Sequence, residues 1–356
     1  MSQTQSLDDI DDLLVGELHK RMPIEHRPFH TLGQKAGISE QECLARVERL
    51  AAREIVGGIR AAFDAAALGY ECALIAMQPR PANVESAAAH VGRHPGVFQC
   101  VRVLDPFALW CALAVPPGDS LEQVVRLLHA QAGSEETLIL PALEVYKAVS
   151  IHSGATPAVL LDELEELGQD ERRMSAPPPL AASDLRLIRI LQQDLPLMEM
   201  PYTVWAEQGE LTEDELFAWM GRMEHLGYVR RFAAEILRPR GAAPATALLA
   251  WRVAEEQCAA VGQAMSKFRE VSSCCRRPSY DSWPYPLISV VHAATRDACR
   301  EALRRLHAHV GPLTCKSLFV ETVFKQTRIS LFSPELEQWW KDVAGAEDNL
   351  NQIGKQ

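Results

Sequence analysis

Apolar positions recur at helical spacing in Leu44, Val47 and Leu50, and the same rhythm returns 173 residues later in Leu216, Met220 and Met223. The segments that carry it are GISEQECLARVERLAAREIV (37–56) and ELTEDELFAWMGRMEHLGYV (210–229), which place Ser39 on Thr212, Glu42 on Glu215 and Val56 on Val229. Both open with a Ser/Thr-x-x-Glu capping box, which satisfies the free amide groups of a helix start. A short helical stretch precedes each (30–37 and 202–209), and a longer one lies ahead of that (7–21 and 183–195). Three helices with a tight Gly turn before the third predict a helix-turn-helix. The β-prone runs at 54–63 and 228–238 are then expected to form a wing in each copy.

Further along, apolar runs of strand length replace the helical rhythm. ECALIAMQ (71–78) and TALLAWRV (246–253) predict strands, and helices are expected at 81–92 and 254–267. Paired strands follow at 97–103 and 107–115, and at 269–276 and 285–292. Helices at 119–132 and 295–310 and last strands at 137–147 and 313–325 close each unit. The order βαββαβ is that of a ferredoxin-like domain. The predicted fold class is therefore α+β, with two tandem modules of winged helix-turn-helix plus ferredoxin-like domain. The boundaries are 1–63 and 64–149 for the first module, and 183–240 and 241–333 for the second, with a C-terminal helix and tail at 334–356. Between the modules, 150–182 reads as an acidic, proline-rich linker with a helix at LLDELEELG (160–168) and an extended SAPPPLAA (175–182).

Composition narrows the function classes. Hydrophobic residues make up 47% and charged residues 23% of the 356, the balance of an ordinary globular protein. No apolar run is long enough for a bilayer, and MSQTQSLDDIDDLL lacks the blocks of a signal peptide, so a cytoplasmic protein without membrane contact is expected. Nine cysteines without a CxxC pair give no zinc spacing, and no metal site is expected; only the adjacent Cys274 and Cys275 stand out.

The net charge is −11, and its distribution matters more than its size. The helix over 39–53 sets Arg46, Arg49 and Arg53 against Glu40, Glu42 and Glu48. Its counterpart over 212–227 holds Glu213, Asp214, Glu215 and Glu224 against Arg222. Such helices offer little attraction to phosphates, which speaks against DNA as a partner. Positive charge gathers instead in Arg230, Arg231, Arg238 and Arg240 of the second wing, and recurs in Arg276 and Arg277. Planar guanidinium groups suit bidentate carboxylate recognition. Trp283 and Tyr285 are candidates to lie against a flat ligand, with core packing the alternative. His292 lies in an apolar strand and is either a functional or a hydrogen-bonded structural histidine.

The architecture resembles the Lrp/AsnC group of regulators and, more finely, the siroheme decarboxylases. The words that carry the finer resemblance are LGYECALIAM (68–77), HPGV (94–97) and LWCALAVPPG (109–118) in the first copy. In the second they are LQQDLP (191–196), YVRRFAAEI (228–236), WPYPL (283–287) and VVHAAT (290–295). The resemblance implies removal of carboxyl groups from acetate side chains of siroheme, in haem d1 or alternative haem biosynthesis, by paired subunits or one fused chain. It implies an iron tetrapyrrole as substrate or ligand, with no cofactor beyond it. It also leaves room for an active paralogue or a second copy as partner. Arg230, Arg231, Arg238, Arg277, Trp283 and Tyr285 are then the expected substrate-binding residues.

The sequence departs from that family where proton chemistry is expected. The family's Val-Ser-His-x-Tyr-x-Arg-Pro pattern here reads Val271-Ser272-Ser273-Cys274-Cys275-Arg276-Arg277-Pro278. Ser273 takes the histidine's place, Gln99 takes that of its first-copy equivalent, and Arg238 replaces the wing histidine. A double arginine of the first wing has become Gly57-Gly58, and a Tyr-Asn pair reads Phe107-Ala108 and Tyr285-Pro286. Histidine titrates near neutrality, whereas serine and glutamine do not. Cys275, Arg238 and His292 remain as candidate replacements. Three readings stay open: a divergent decarboxylase, a catalytically degenerate tetrapyrrole-binding partner or sensor, and a DNA-binding regulator.

Overall fold

Most local signals in the sequence end in defined elements of the computed structural model, which describes residues 7–148, 180–237 and 245–342 apart from 337. The predicted helix at 160–168, and Arg238 and Arg240, lie outside the described residues. The first module starts with α1 (Asp9–Lys20), α2 (Pro28–Ala36), α3 (Glu40–Ala52) and β1 (Val56–Phe63). It continues with β2 (Glu71–Pro79), α4 (Val84–Val91), β3 (Val97–Val103) and β4 (Leu109–Val115). It closes with α5 (Leu121–Ala132), β5 (Ser134–Leu140) and β6 (Glu144–Ala148). The second module repeats this as α6 (Ala182–Leu191), α7 (Tyr202–Gly209), α8 (Glu213–His225), β7 (Val229–Ile236) and β8 (Ala245–Arg252). Then come α9 (Cys258–Ser266), β9 (Val271–Arg276), β10 (Leu287–Ala293), α10 (Arg296–Val310) and β11 (Thr314–Gln326).

The caps form as the spacing requires, with one difference between copies. Thr212 Oγ1 accepts from the Glu215 amide at 3.3 Å, while the Thr212 amide donates to Glu215 Oε2 at 2.8 Å. Ser39 Oγ accepts from the Glu42 amide at 3.2 Å, but the Glu42 carboxylate accepts instead from Arg46 Nε at 3.0 Å. The turn before α3 uses Gly37 at φ 71°, whereas before α8 the left-handed position falls to Glu210 at φ 59°. Only glycine takes that conformation without strain.

The division into compact units cuts across the sequence modules. Both helix-turn-helices form one unit, ending at residue 68 in the first copy, and both βαββαβ domains form the other. In the first unit each expected wing run forms one strand among the described residues. The strand β1 pairs antiparallel with β7, with Arg60 opposite Ala233 and Ala62 opposite Arg231. Each wing run supplies a single strand, whose exposed edge the other copy satisfies. Side chains of both modules crowd the glycine pair. A Cβ on Gly58 would lie 1.5 Å from Asp194 Oδ1, and one on Gly57 3.0 Å from Glu235 Oε2. The helix expected over 183–195 stops at Leu191, and the freed residues pack on the first copy, the Leu195 amide donating to Ile59 O at 2.8 Å.

In the second unit nine strands run in the order β5-β2-β4-β3-β11-β8-β10-β9-β6. The last strand of each domain is shared. Thr314–Phe319 of β11 pair with β8 of their own domain, and Val320–Gln326 pair with β3 of the other. Likewise β5 pairs with β2, and after residues 141–143 the chain resumes as β6 against β9. The expected strand at 137–147 is thus two strands serving two domains. The helices cover one face of each domain. Ile75, Leu109, Cys111 and Leu113 lie with Val84, Val124 and Leu128 in the first core. Leu249, Trp251, Leu287 and Val291 lie with Cys299 and Leu306 in the second.

Candidate functional site

Alternation along β9 sets which side chains leave the helix-covered core. Val271 and Cys274 belong to that core. Ser273, opposite Val290, and Cys275, opposite Ile288, point to the other face. In the first domain Gln99, opposite Ala112, holds the equivalent place. Ser273, Cys275 and Gln99 are all buried. An aromatic cluster ties the β9–β10 loop to the first domain: Trp283 meets Trp110 at 5.2 Å and Phe107 at 5.9 Å, both edge-on. Lys316 Nζ lies 5.2 Å from the Trp283 ring centre and also meets Tyr285. Trp283, expected to lie against a flat ligand, is 0% exposed. Tyr285 beside it is partly exposed.

Where β9 and β10 end, the chain opens into a cleft of ≈ 290 Å³. Its polar lining is Arg252, Arg276, Arg277, Glu255 and Ser279. Pro278, Pro284 and Pro286 with Leu143 and Val253 form apolar walls. The prolines hold the connecting loop open where the β9–β10 ladder stops. Arg277 is buried at its base; its amide donates to Pro286 O at 2.7 Å and its Nη1 donates to Leu140 O. Arg276 is half-buried, 3.5 Å from Glu144 and 3.3 Å from Glu255. Arg252 is exposed at the end of β8 and makes no ion pair with any described residue. The arrangement suits an anion with several carboxylates beside an apolar surface. The Arg276-Arg277 pair is visible in the sequence. Sequence reasoning misses Arg252 and Glu255, whose only signal is a charge where the apolar run of β8 stops.

His292 sits at the far end of β10, about 20 Å from Pro286 at the usual rise per residue, so the structure does not bring it to the cleft. Its Nε2 lies 2.8 Å from Ser272 Oγ and its Nδ1 3.1 Å from Thr246 Oγ1. Burial pushes its pKa down to about 3, leaving a neutral, hydrogen-bonded ring at neutral pH. His94 is fully buried, accepts from the Gly96 amide at 2.9 Å and meets the Trp339 ring edge-on at 4.3 Å. Burial, then the nearby Lys325 charge, pushes it to about 3 as well. No group of three or more His, Cys, Asp or Glu among the described residues is placed to hold a metal ion.

The remaining candidates belong to the winged-helix unit. Arg230 is committed there: its Nε and Nη2 lie 3.2 and 3.1 Å from Asp64 Oδ2, a carboxylate only 2% exposed. Arg231 is half-buried on β7, and its charge adds to burial in lowering the pKa of His19. The helices that would meet DNA are engaged as well. Arg46 of α3 reaches Asp8 and Asp11, each at 2.8 Å. On α8, Glu213 bonds to His26 and Glu224 pairs with Arg21 at 2.8 Å. No described helix is long and apolar enough to cross a membrane.

Comparison with known proteins follows the same division of the chain. An AsnC-like ligand binding domain matches residues 67–147 and 243–325. A siroheme decarboxylase NirDL-like HTH domain matches 11–56 and 184–230. The siroheme decarboxylase of Hydrogenobacter thermophilus is 29% identical over 94% of this chain and 98% of its own length. The siroheme decarboxylase beta subunit of Methanosarcina barkeri is 32% identical over 42% of this chain and 98% of its own length. A crystal structure of the siroheme decarboxylase NirDL in complex with an iron-uroporphyrin III analogue superposes with a TM-score of 0.78 and 27% identity, covering 95% of this chain and 99% of that one.

Proposed function

This chain belongs to the siroheme decarboxylase family, and we propose that it removes carboxyl groups from acetate side chains of siroheme. The observation that carries the reading is the whole-chain likeness to a siroheme decarboxylase solved with an iron-uroporphyrin analogue. Separate alpha and beta subunits of relatives each align with less than half of this chain, so its two modules take the places of two subunits. The iron tetrapyrrole is the substrate.

Each turn of the reaction breaks the bond between the carboxyl carbon and the methylene carbon. Carbon dioxide leaves, and the electron pair stays on the methylene carbon beside the pyrrole ring until a proton makes it a methyl group. The protein must therefore grip the carboxylates that remain, shield the one that leaves from water, and admit a proton. Arg252, Arg276 and Arg277 supply the grip, and the proline walls supply a surface of low polarity beside them. Ser273 and Gln99 are buried and carry no group that titrates near neutrality, so neither replaces the family's histidine as proton donor. The proton is then delivered by water admitted at the cleft, whose rim residues Arg252 and Glu255 are exposed.

That same pair of replacements favours a second reading, a tetrapyrrole-binding partner without turnover. Anaerobic incubation of the protein with siroheme, followed by absorbance and mass analysis of the pigment, separates the two. Loss of one carbon dioxide per acetate is the expected result. A shifted spectrum with unchanged pigment mass would refute turnover and leave binding.

A further inference from the structure

The arginine cleft has a counterpart in the first domain, and strand register identifies it residue by residue. Met77 pairs with Leu109 as Trp251 pairs with Leu287, and on the neighbouring strands Arg102 and Arg276 pair with those same leucines. One step along each strand, Gln78 stands for Arg252 and Val103 for Arg277. Only Arg102 keeps the charge of its equivalent, Arg276. The second domain thus aims three guanidinium groups at one cleft where the first has one.

The charges left at the first position are also already used. Arg102 Nη1 lies 2.9 Å from Glu85 Oε1. Asp105, one residue beyond the equivalent of Pro278, is 5% exposed and lies 2.5 Å from Lys316 Nζ. Val103 is buried. An incoming carboxylate would find a neutral amide, a neutralised arginine and a buried carboxylate. In the second domain it finds Arg252 without an ion-pair partner among the described residues and Arg276 shared between two glutamates at 3.3 and 3.5 Å. Arg252 binds an incoming anion without first giving up an ion pair, and Arg276 gives up longer contacts, 3.3 and 3.5 Å, than the 2.9 Å of Arg102.

We infer that the chain carries one polycarboxylate-binding cleft and not two, in the second domain, with Arg252 and Arg276 as its accessible cations. This rests on the reading of the chain as acting on an iron tetrapyrrole, and it goes further by assigning one substrate to each pair of domains. The first domain then completes the fold through its shared strands, with no ligand of its own at the equivalent place.

The test is a titration of the full-length chain with iron-uroporphyrin III, followed by the change in the pigment's main absorbance band. One equivalent is expected to saturate each chain. Arg252→Glu, at an exposed position that the fold does not need, should weaken binding by about tenfold or more, and Arg276→Ala by about tenfold. Arg102→Ala should leave affinity within about twofold. Saturation at two equivalents of equal affinity would overturn the inference. So would an Arg102→Ala loss matching that of Arg276→Ala, indifference to both cleft substitutions, or no absorbance change at all. These readouts need no turnover, so the pigment-mass experiment fails or succeeds separately from them.

Discussion

Two histidines, the buried His94 and the partly buried His292, make this protein's stability depend on pH in a way that can be worked out from the structure. His292 and His94 sit in the same unit, and burial holds each at a pKa of about 3 instead of the ordinary 6.5. In the unfolded chain both return to 6.5 and take up protons as the pH falls through that value, while in the folded state they stay neutral. Acid therefore favours the unfolded state. The stability is whole above pH 6.5 and is lost progressively between 6.5 and about 3. At pH 5 the unfolded side chains are favoured by about 1.5 pKa units each, or about 2 kcal/mol per histidine at roughly 1.4 kcal/mol per unit. The pair then contributes about 4 kcal/mol of acid sensitivity, a large share of a typical domain's stability. The perturbation is the double variant His94→Gln and His292→Gln, which removes the titration and keeps a side chain able to hydrogen bond. Urea unfolding of the strand-rich unit, followed by tryptophan fluorescence at pH 7.5 and 5.0, measures the effect. Carboxylates titrate alike in both proteins, so the wild type should lose about 4 kcal/mol more than the variant over that interval. Equal losses would refute the reasoning, as would imidazole resonances of His94 and His292 titrating near pH 6.5 in the folded protein.

Two further outcomes follow from single side chains. Arg230→Ala should destabilise the winged-helix unit by about 2 to 3 kcal/mol, because the buried Asp64 carboxylate loses this cation and keeps the Ala67 amide at 2.8 Å. Tetrapyrrole affinity should stay within about twofold, since that guanidinium is already engaged, and a thermal melt beside the pigment titration checks both. Trp283→Ala should cost about 3 to 5 kcal/mol, since it empties a fully buried site between Trp110, Phe107 and Tyr285. Chemical denaturation reads that loss, and a cost below about 1 kcal/mol would show that the aromatic cluster is not a packed core.

About half of the candidate site is legible in the sequence. Arg276 and Arg277 stand out as adjacent cations; alternation along a strand would let only one face a given site, but β9 ends at Arg276 and both line the cleft. Arg252 and Glu255 do not stand out, because a single charge at the end of an apolar run is what any strand end shows. Trp283 reads as a possible ligand surface because an aromatic side chain looks the same in sequence whether its face meets a macrocycle or Trp110. The loss of the double arginine at Gly57-Gly58 reads as degeneration of the first wing. In the structure the Asp194 side chain, from the other module, takes the space beside Gly58.

What the sequence determined by itself is the repeat, the kind and order of its elements, and most of their ends. Those rest on periodicity and on hydrogen bonds closed within a few residues, such as Thr212 with Glu215. What only the tertiary structure decided is which strand edges meet. β1 finds β7, and β11 serves β8 with one half and β3 with the other. A strand edge offers the same row of amides and carbonyls whatever its side chains are, so local sequence does not name its partner. The fold names it, by bringing the matching edge of the other module alongside.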